Sequence, residues 1–163
     1  MRLLSLFLVG TMLALGACKA SQKAGKSKKA NPYLPTALQD IDFAWPMQRV
    51  ADIRDLRSDD MVKEEFRIAV YQGITHPEIE GVAYYFDADT PQPLYEVIIA
   101  YKTKEGRDAA ATKLLGEPNY ENNAEWLLET KRGYKLKAWK FKKKLILVAL
   151  LPGTEWYEEE QVD

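Results

Sequence analysis

The chain has 163 residues, of which 47% are hydrophobic and 29% are charged; this composition suits one folded domain with an apolar core and argues against general disorder. Six of the 23 basic residues precede residue 31 and all 24 acidic residues follow it, so the remainder of the chain carries a net charge of −7. A domain of that sign lacks the basic face that nucleic-acid phosphates require, so we expect no nucleic-acid partner.

The N-terminus has the pattern of a secretory signal peptide, which we predict over residues 1–17. Arg2 precedes an apolar run of about 13 residues, Leu3 to Leu15, which is too short to cross a bilayer core. The sequence Leu15-Gly16-Ala17-Cys18 resembles the lipobox of bacterial lipoproteins. The resemblance implies cleavage before Cys18, attachment of lipid to its thiol and acylation of its new amino group. The alternative is an ordinary secreted protein in which this cysteine follows the signal peptide by chance.

A lipid on Cys18 would hold the protein on a membrane, because each buried methylene contributes about 0.8 kcal/mol to anchoring. We therefore expect a cell-envelope lipoprotein with a membrane as one of its partners. Lys19 stands where an aspartate retains such proteins in the inner membrane of enterobacteria-like cells. The outer membrane, on its periplasmic or surface side, is therefore favoured if the organism is Gram-negative. Since Cys18 is the only cysteine, an intrachain disulfide is excluded and the domain must depend on its core.

Residues 18–37 are predicted to form a lipidated, flexible basic tether ahead of a domain at 38–163. The segment is rich in lysine, serine, alanine and glycine and has no apolar period. Its five lysines either contact anionic headgroups or belong to a solvated spacer. Pro32 and Pro35 mark the place where the tether meets the domain.

The first half of the domain is predicted to contain one helix and three strands. Val50, Ile53 and Leu56 recur at helical spacing after Pro46, which predicts a helix over about 46–57. Alternating or near-continuous apolar runs follow, bounded by turn residues. These runs predict strands at 65–72, 82–87 and 94–102.

The second half of the domain repeats that order. Thr103 is a suitable N-cap, and Gly116 followed by Pro118 ends a predicted helix over about 104–115. In the middle strand of this half the apolar residues change parity near Ala138. That change indicates either a one-residue bulge or a strand packed on both faces. Strands are expected at 125–131, 134–142 and 145–151.

The expected fold class is α+β. Two helix-β-β-β units, at 40–102 and 103–157, are predicted to form one antiparallel sheet with helices packed on one face, because neither unit can bury its apolar face alone. The run GRDAAATKLLGEPNYENNAEW, followed by strands ending LILVALLPGTEW, resembles the SmpA/OmlA-type small lipoproteins of the outer-membrane assembly machinery. The doubled arrangement is similar to the β-lactamase-inhibitor-protein-like fold. The resemblance covers Thr103 to Leu151 well and the first half loosely, and it implies a protein-binding or scaffold role.

Few residues suggest catalysis, a metal site or a cofactor, and we expect none of these. His76 is the only histidine and precedes Pro77 in a turn-rich segment, while Ser58 is the only serine of the domain. One histidine without a free thiol makes a poor zinc site. Asp87 and Asp89 offer oxygen atoms to calcium, but the other ligands of an EF-hand are missing, so an Asx turn is the better interpretation.

Three aromatic residues are candidate interface anchors: Trp139, Trp156 and Tyr157. Packing in the core or at its rim is the alternative role for them. We therefore expect a non-catalytic protein-binding, assembly or inhibitor module whose second partner is another envelope protein. An envelope hydrolase acting through carboxylates is one alternative. A carrier of a small ligand or lipid is another, and it would need a large apolar cavity between sheet and helices.

Overall fold

The computed structural model describes residues 30–159, which form a seven-stranded antiparallel sheet and three α-helices. The predicted signal peptide, Cys18 and the tether before Ala30 lie outside these residues. The helices are α1 (Met47–Arg54), α2 (Lys104–Leu115) and α3 (Glu155–Glu159). The strands are β1 (Met61–Lys63), β2 (Arg67–Gly73), β3 (Ile79–Asp87), β4 (Leu94–Tyr101), β5 (Trp126–Glu129), β6 (Lys135–Phe141) and β7 (Lys144–Leu150). The predicted α+β class is thereby confirmed.

Both predicted helices form, and local residues explain their limits. The side chain of Thr103 accepts the backbone N–H of Gly106 at 3.0 Å, which caps the first turn of α2. Gly116 ends α2 with a φ of 77°, a left-handed value that costs glycine little. The first helix stops earlier than predicted, because Asp55 adopts a left-handed conformation with φ 51° directly after Arg54.

The strand order is β1-β2-β3-β4-β7-β6-β5. Each half of the domain contributes a three-stranded meander, β2 to β4 and β5 to β7, and the two meanders join where β4 pairs with β7. Because they are central, these two strands are covered on both faces, as the near-continuous apolar run of β4 predicts.

The main core lies between one sheet face and the helices α1 and α2. Val50 of α1 is completely buried there, together with Ala111 and Leu115 of α2. A smaller apolar cluster on the other face packs beneath α3. The two predicted helices, α1 and α2, therefore pack on one face as expected, and a third helix, α3, which was not predicted, lies on the other face. Strand β1 was also not predicted.

Strand β6 has no bulge among its described pairs. Its register with β7 runs unbroken from Lys135 opposite Leu150 to Phe141 opposite Lys144. The strand instead packs on both faces, with Ala138 in the main core and Trp139 on the opposite side. Of the two alternatives that the parity change left open, the two-faced strand is correct.

The packed chain begins earlier than residue 38. Asn31 and Leu34 are 1% and 0% exposed, and a 3₁₀ turn spans Thr36–Leu38. The carbonyl of Ala30 accepts a hydrogen bond from the guanidinium of Arg132 at 2.7 Å. The chain therefore enters the domain beside the turn that joins β5 to β6. Residues 31–37, which were expected in the tether, are thus part of the folded domain.

Candidate interaction surface

A row of five apolar residues crosses the sheet face that is opposite to α1 and α2. Cross-strand pairs join Tyr71 to Ala83, Ala83 to Ile98, Ile98 to Ile146, and Ile146 to Trp139. Since neighbouring residues along each strand point to opposite faces, this row stands directly behind the main core. We call this side of the sheet the second face.

Helix α3 covers the β7 and β6 side of the second face. The indole rings of Trp139 and Trp156 meet edge to face, with centroids 5.1 Å apart and planes at 61°. Tyr157 belongs to the same cluster, and all three aromatic residues are half-buried. The three predicted anchors thus lie together, where they attach α3 to the sheet. Their aliphatic neighbours on β7 are Ile146, Val148 and Leu150.

A carboxyl group is buried beneath this aromatic pair. Glu96 of β4 is only 4% exposed, and its Oε2 accepts the indole N–H of Trp156 at 3.2 Å. Burial raises the pKa of Glu96 to about 7, and the charge of Glu155 acts in the same direction. The Trp156 hydrogen bond and the positive charge of Arg67 oppose that rise. Glu96 therefore changes its charge near neutral pH while it lies under α3.

The first residue of α3 makes a second set of contacts. The hydroxyl of Tyr95 donates a hydrogen bond to Glu155 Oε2 at 3.2 Å, and an Arg67 guanidinium nitrogen lies 3.6 Å from the same oxygen. Burial raises the pKa of Tyr95, so its hydroxyl stays protonated and remains a donor. Polar contacts from β2 and β4 therefore hold Glu155, while aromatic packing holds Trp156.

The remainder of the second face is open. Tyr71 is 61% exposed, and Val62 and Phe141 on the same side of the sheet are 60% and 55% exposed. The Tyr71 ring lies across Gly81 of the neighbouring strand, where a β-carbon would come within 2.4 Å of the phenolic oxygen. The absent side chain at position 81 thus leaves room for the phenolic end of Tyr71 against the sheet.

Sequence reasoning missed three residues of this surface: Val62, Tyr71 and Glu96. Parity could have identified Tyr71, which alternates with the core residues Ile68 and Val70. Glu96 is the single carboxyl in the apolar run of β4, but its burial depends on Trp156, which is distant in the sequence. Val62 belongs to a strand of three residues that carries little local signal. The strand predicted from residue 65 begins two residues later, at Arg67, and Phe66, which precedes it, is 50% exposed.

His76 and Asp87 each stabilise the local turn in which they lie. His76 Nδ1 accepts the backbone N–H groups of Glu78 and Ile79 at 3.1 and 3.2 Å, so it caps its own turn. Asp87 accepts the backbone N–H of Asp89 at 2.7 Å, which confirms the Asx turn. Within residues 30–159, no three His, Cys, Asp or Glu side chains are grouped so that they could hold a metal ion.

Another buried carboxylate, Asp42, is fully engaged in structure. It accepts hydrogen bonds from Asn31 and Tyr134 at 3.0 Å each, and it forms an ion pair with Arg132. These contacts tie the first packed residues of the chain to the turn between β5 and β6. Its partners leave Asp42 little capacity to act on a substrate.

Comparisons with known proteins give no match from which the role of this surface could be inferred. No protein-family model, curated protein or solved structure matches the chain. None of the helices in the described residues has the length and apolar character needed to cross a membrane.

Proposed function

We propose that the protein is a lipid-anchored bacterial envelope protein whose domain binds a second envelope protein, without catalysis, through the part of the second face around Tyr71 and Val62. The observation that carries this proposal is the exposed end of the apolar row, where Tyr71 is 61% exposed among alanines. Exposed, contiguous apolar surface on a soluble domain is characteristic of interaction sites.

The shape and chemistry of this surface favour a protein partner. Tyrosine supplies a large, rigid contact area with a polar end, which is why it dominates the energetics of interfaces. The neighbouring side chains Ala69, Ala83 and Ala100 are small and half-buried, so a partner can approach the sheet closely on both sides of the Tyr71 ring. A platform of this kind fits a complementary protein surface better than it encloses a small ligand.

The anchor in this proposal is the lipid on Cys18, with the outer membrane as the favoured location. The sequence Leu15-Gly16-Ala17-Cys18 supports it, as does the basic segment between Cys18 and the first packed residue, Asn31. A membrane anchor would raise the local concentration of the domain near envelope partners and so compensate for a modest affinity.

We further infer that the domain consists of two tandem helix-β-β-β units. The strand order supports this inference, because β4-β3-β2 and β7-β6-β5 run outward from the centre in the same sense. Each meander follows one helix, α1 or α2. In this interpretation, the short elements β1 and α3 do not belong to the repeated pattern of one helix and three strands.

Site-specific photo-crosslinking in intact cells tests the partner. A photoreactive residue in place of Tyr71 or Val62 should give a discrete cross-linked protein, whereas the same residue in place of Thr112, exposed on α2, should give none. Tyr71→Ser should weaken the isolated complex by roughly tenfold while leaving the melting temperature nearly unchanged. Equal cross-linking from positions 71 and 112 would contradict the assigned surface.

The anchor is tested separately. Mass spectrometry of the mature N-terminus should find Cys18 modified with acyl chains, and Cys18→Ser should move the protein out of the membrane fraction. A soluble, unmodified natural protein would refute the anchor and would leave the proposed binding surface untouched.

A further inference from the structure

We propose that the end of the sheet formed by the β6–β7 turn is a docking site for anionic phospholipid headgroups, which orients the domain on its membrane. This surface goes beyond the protein-binding role proposed for the second face. We call it the lysine tip, and it consists of six exposed lysines: Lys102, Lys104, Lys140, Lys142, Lys143 and Lys144.

Backbone and side-chain contacts bring these lysines together. The backbone N–H of Tyr101 donates to the carbonyl of Lys143 at 2.9 Å, and the ammonium group of Lys143 donates to the carbonyl of Lys102 at 3.2 Å. The turn between β6 and β7 is therefore fastened to the end of β4. Glu78, Glu105 and Asp108 are acidic neighbours of this group, and the six lysines outnumber them, so the tip stays basic in a domain whose net charge is negative.

The turn carries lysine at a position where turn chemistry favours another residue. Lys142 has a φ of 54°, a left-handed conformation that glycine, asparagine and aspartate adopt most readily. A hairpin selected for stability alone would place Asn-Gly or a similar pair here. The turn thus places three successive positive charges at a position where glycine would be less strained than lysine.

A buried arginine supports the turn from below. Arg107 of α2 is 8% exposed and donates a hydrogen bond from its guanidinium group to the carbonyl of Lys142. Its other nitrogens bind Asp108 at 2.8 and 3.0 Å, and Lys140 lies 3.3 Å from the same carboxylate. These contacts hold the backbone of the turn in one conformation, so that less conformational entropy is lost when the lysine tip binds.

An exposed aromatic ring adjoins the charges. Phe141 is 55% exposed, and the ammonium group of Lys142 lies 5.3 Å from the centre of its ring. Lysines attract anionic headgroups, and an aromatic ring beside them can insert at the boundary between headgroups and acyl chains. This combination favours a lipid surface over an acidic protein, which would not need the exposed ring.

The charge distribution and the length of the chain allow the tip to face the membrane. Exposed acids such as Glu64, Glu65 and Asp89 lie at the other end of the strands, about 25 Å away for strands of this length. An anionic surface would therefore attract the lysine tip more strongly than the end at which these acids lie. The twelve residues from Lys19 to Ala30 span at most about 40 Å, enough to reach from the β5–β6 turn past the tip.

Vesicle sedimentation tests the proposal with the mature chain carrying Cys18→Ser, so that acyl chains do not contribute. The chain should sediment with vesicles of equal parts phosphatidylglycerol and phosphatidylcholine and should not sediment with pure phosphatidylcholine. Replacing Lys142, Lys143 and Lys144 by glutamine should lower the partition coefficient roughly 100-fold at low ionic strength.

A matched variant separates the tip from net charge. Glutamine at Lys63, Lys113 and Lys131, three exposed lysines elsewhere, makes the same charge change and should lower partitioning less than about threefold. Equal losses in the two triple variants would overturn the proposal, as would equal binding to neutral vesicles. Capture of an acidic protein by the tip without vesicle binding would also overturn it.

A single substitution tests the argument from turn chemistry. Lys142→Gly should lower partitioning into the anionic vesicles about fivefold, because one positive charge is removed. The melting temperature should stay the same or rise, because glycine adopts a positive φ without steric strain. A lower melting temperature would show that the turn needs lysine for folding, and the functional interpretation of Lys142 would fail. None of these outcomes depends on Tyr71 or on acylation of Cys18.

Discussion

At the scale of single residues, Glu96 links the stability of the domain to pH. Its pKa is about 7 in the folded protein against an ordinary value of 4.5, chiefly because the carboxyl is buried beneath Trp156. The unfolded chain therefore loses this proton first as the pH rises. The contribution of the Glu96 carboxyl to the free energy of unfolding is therefore fully present below about pH 4.5, and it is lost as the pH rises to about 7.

We predict that Glu96→Gln removes this dependence. The wild-type free energy of unfolding should fall by up to about 3 kcal/mol from pH 4.5 to pH 8, whereas the variant should stay nearly level over this range. Urea unfolding at several pH values measures the difference. Glu80→Gln, an exposed residue of β3, is the control and should retain the wild-type slope.

The buried position of Glu96 shows where residue-level prediction reaches its limit. An apolar run that contains one carboxyl predicts a strand, and the strand is there. Whether that carboxyl is exposed depends on what covers the second face. The answer comes from Trp156, which is 60 residues away along the chain.

At the scale of elements, α2 is specified mostly by its own ends. Thr103 caps its first turn, and Gly116 with Pro118 prevents its continuation, so its limits were predicted correctly. By contrast, α3 has five residues, too few to be stable alone in water. Its helix depends on the contacts of Trp156 and Glu155 with the sheet, and local sequence patterns do not reveal such contacts.

Removing the N-cap of α2 should therefore be measurable. We predict that Thr103→Ala destabilises the domain by about 1 kcal/mol, because the N–H of Gly106 loses its side-chain acceptor. Thr112→Ala, at an exposed position within the same helix, should change stability by less than about 0.5 kcal/mol. Chemical denaturation compares the two, and an equal effect would show that the cap contributes nothing.

At the scale of the whole molecule, the pairing of β4 with β7 unites the two halves. Cross-strand pairs such as Val97 with Leu147 and Ile99 with Leu145 lie at the centre of the sheet and are completely buried. Each meander would expose one of these strands if it stood alone, and an uncovered apolar edge is unstable and prone to association. The halves should therefore fold only together.

We predict that fragments 30–102 and 103–163 show no cooperative thermal transition when they are separate. Mixing them in equal amounts should restore a single transition, because the β4–β7 pairing and the shared core can then form. Circular dichroism during heating measures this. Cooperative melting of either fragment alone would show that the corresponding unit is an independent domain.

Local chemistry in the sequence was sufficient to determine α1, α2 and the strands of both meanders, since periodicity, caps and turn residues act over a few positions. The order of the strands, the two-faced packing of β6 and the helix at Trp156 depend on residues far apart in the chain. Tertiary structure decided them. An apolar pattern in the sequence indicates that a face must be buried, but it does not indicate which distant segment buries it. The same reason explains why Trp139 and Trp156 could be selected as candidates from the sequence. Parity indicates the side of β2 on which Tyr71 lies, but only the assembled sheet shows that this ring stays exposed, at the opposite end of the apolar row from Trp139.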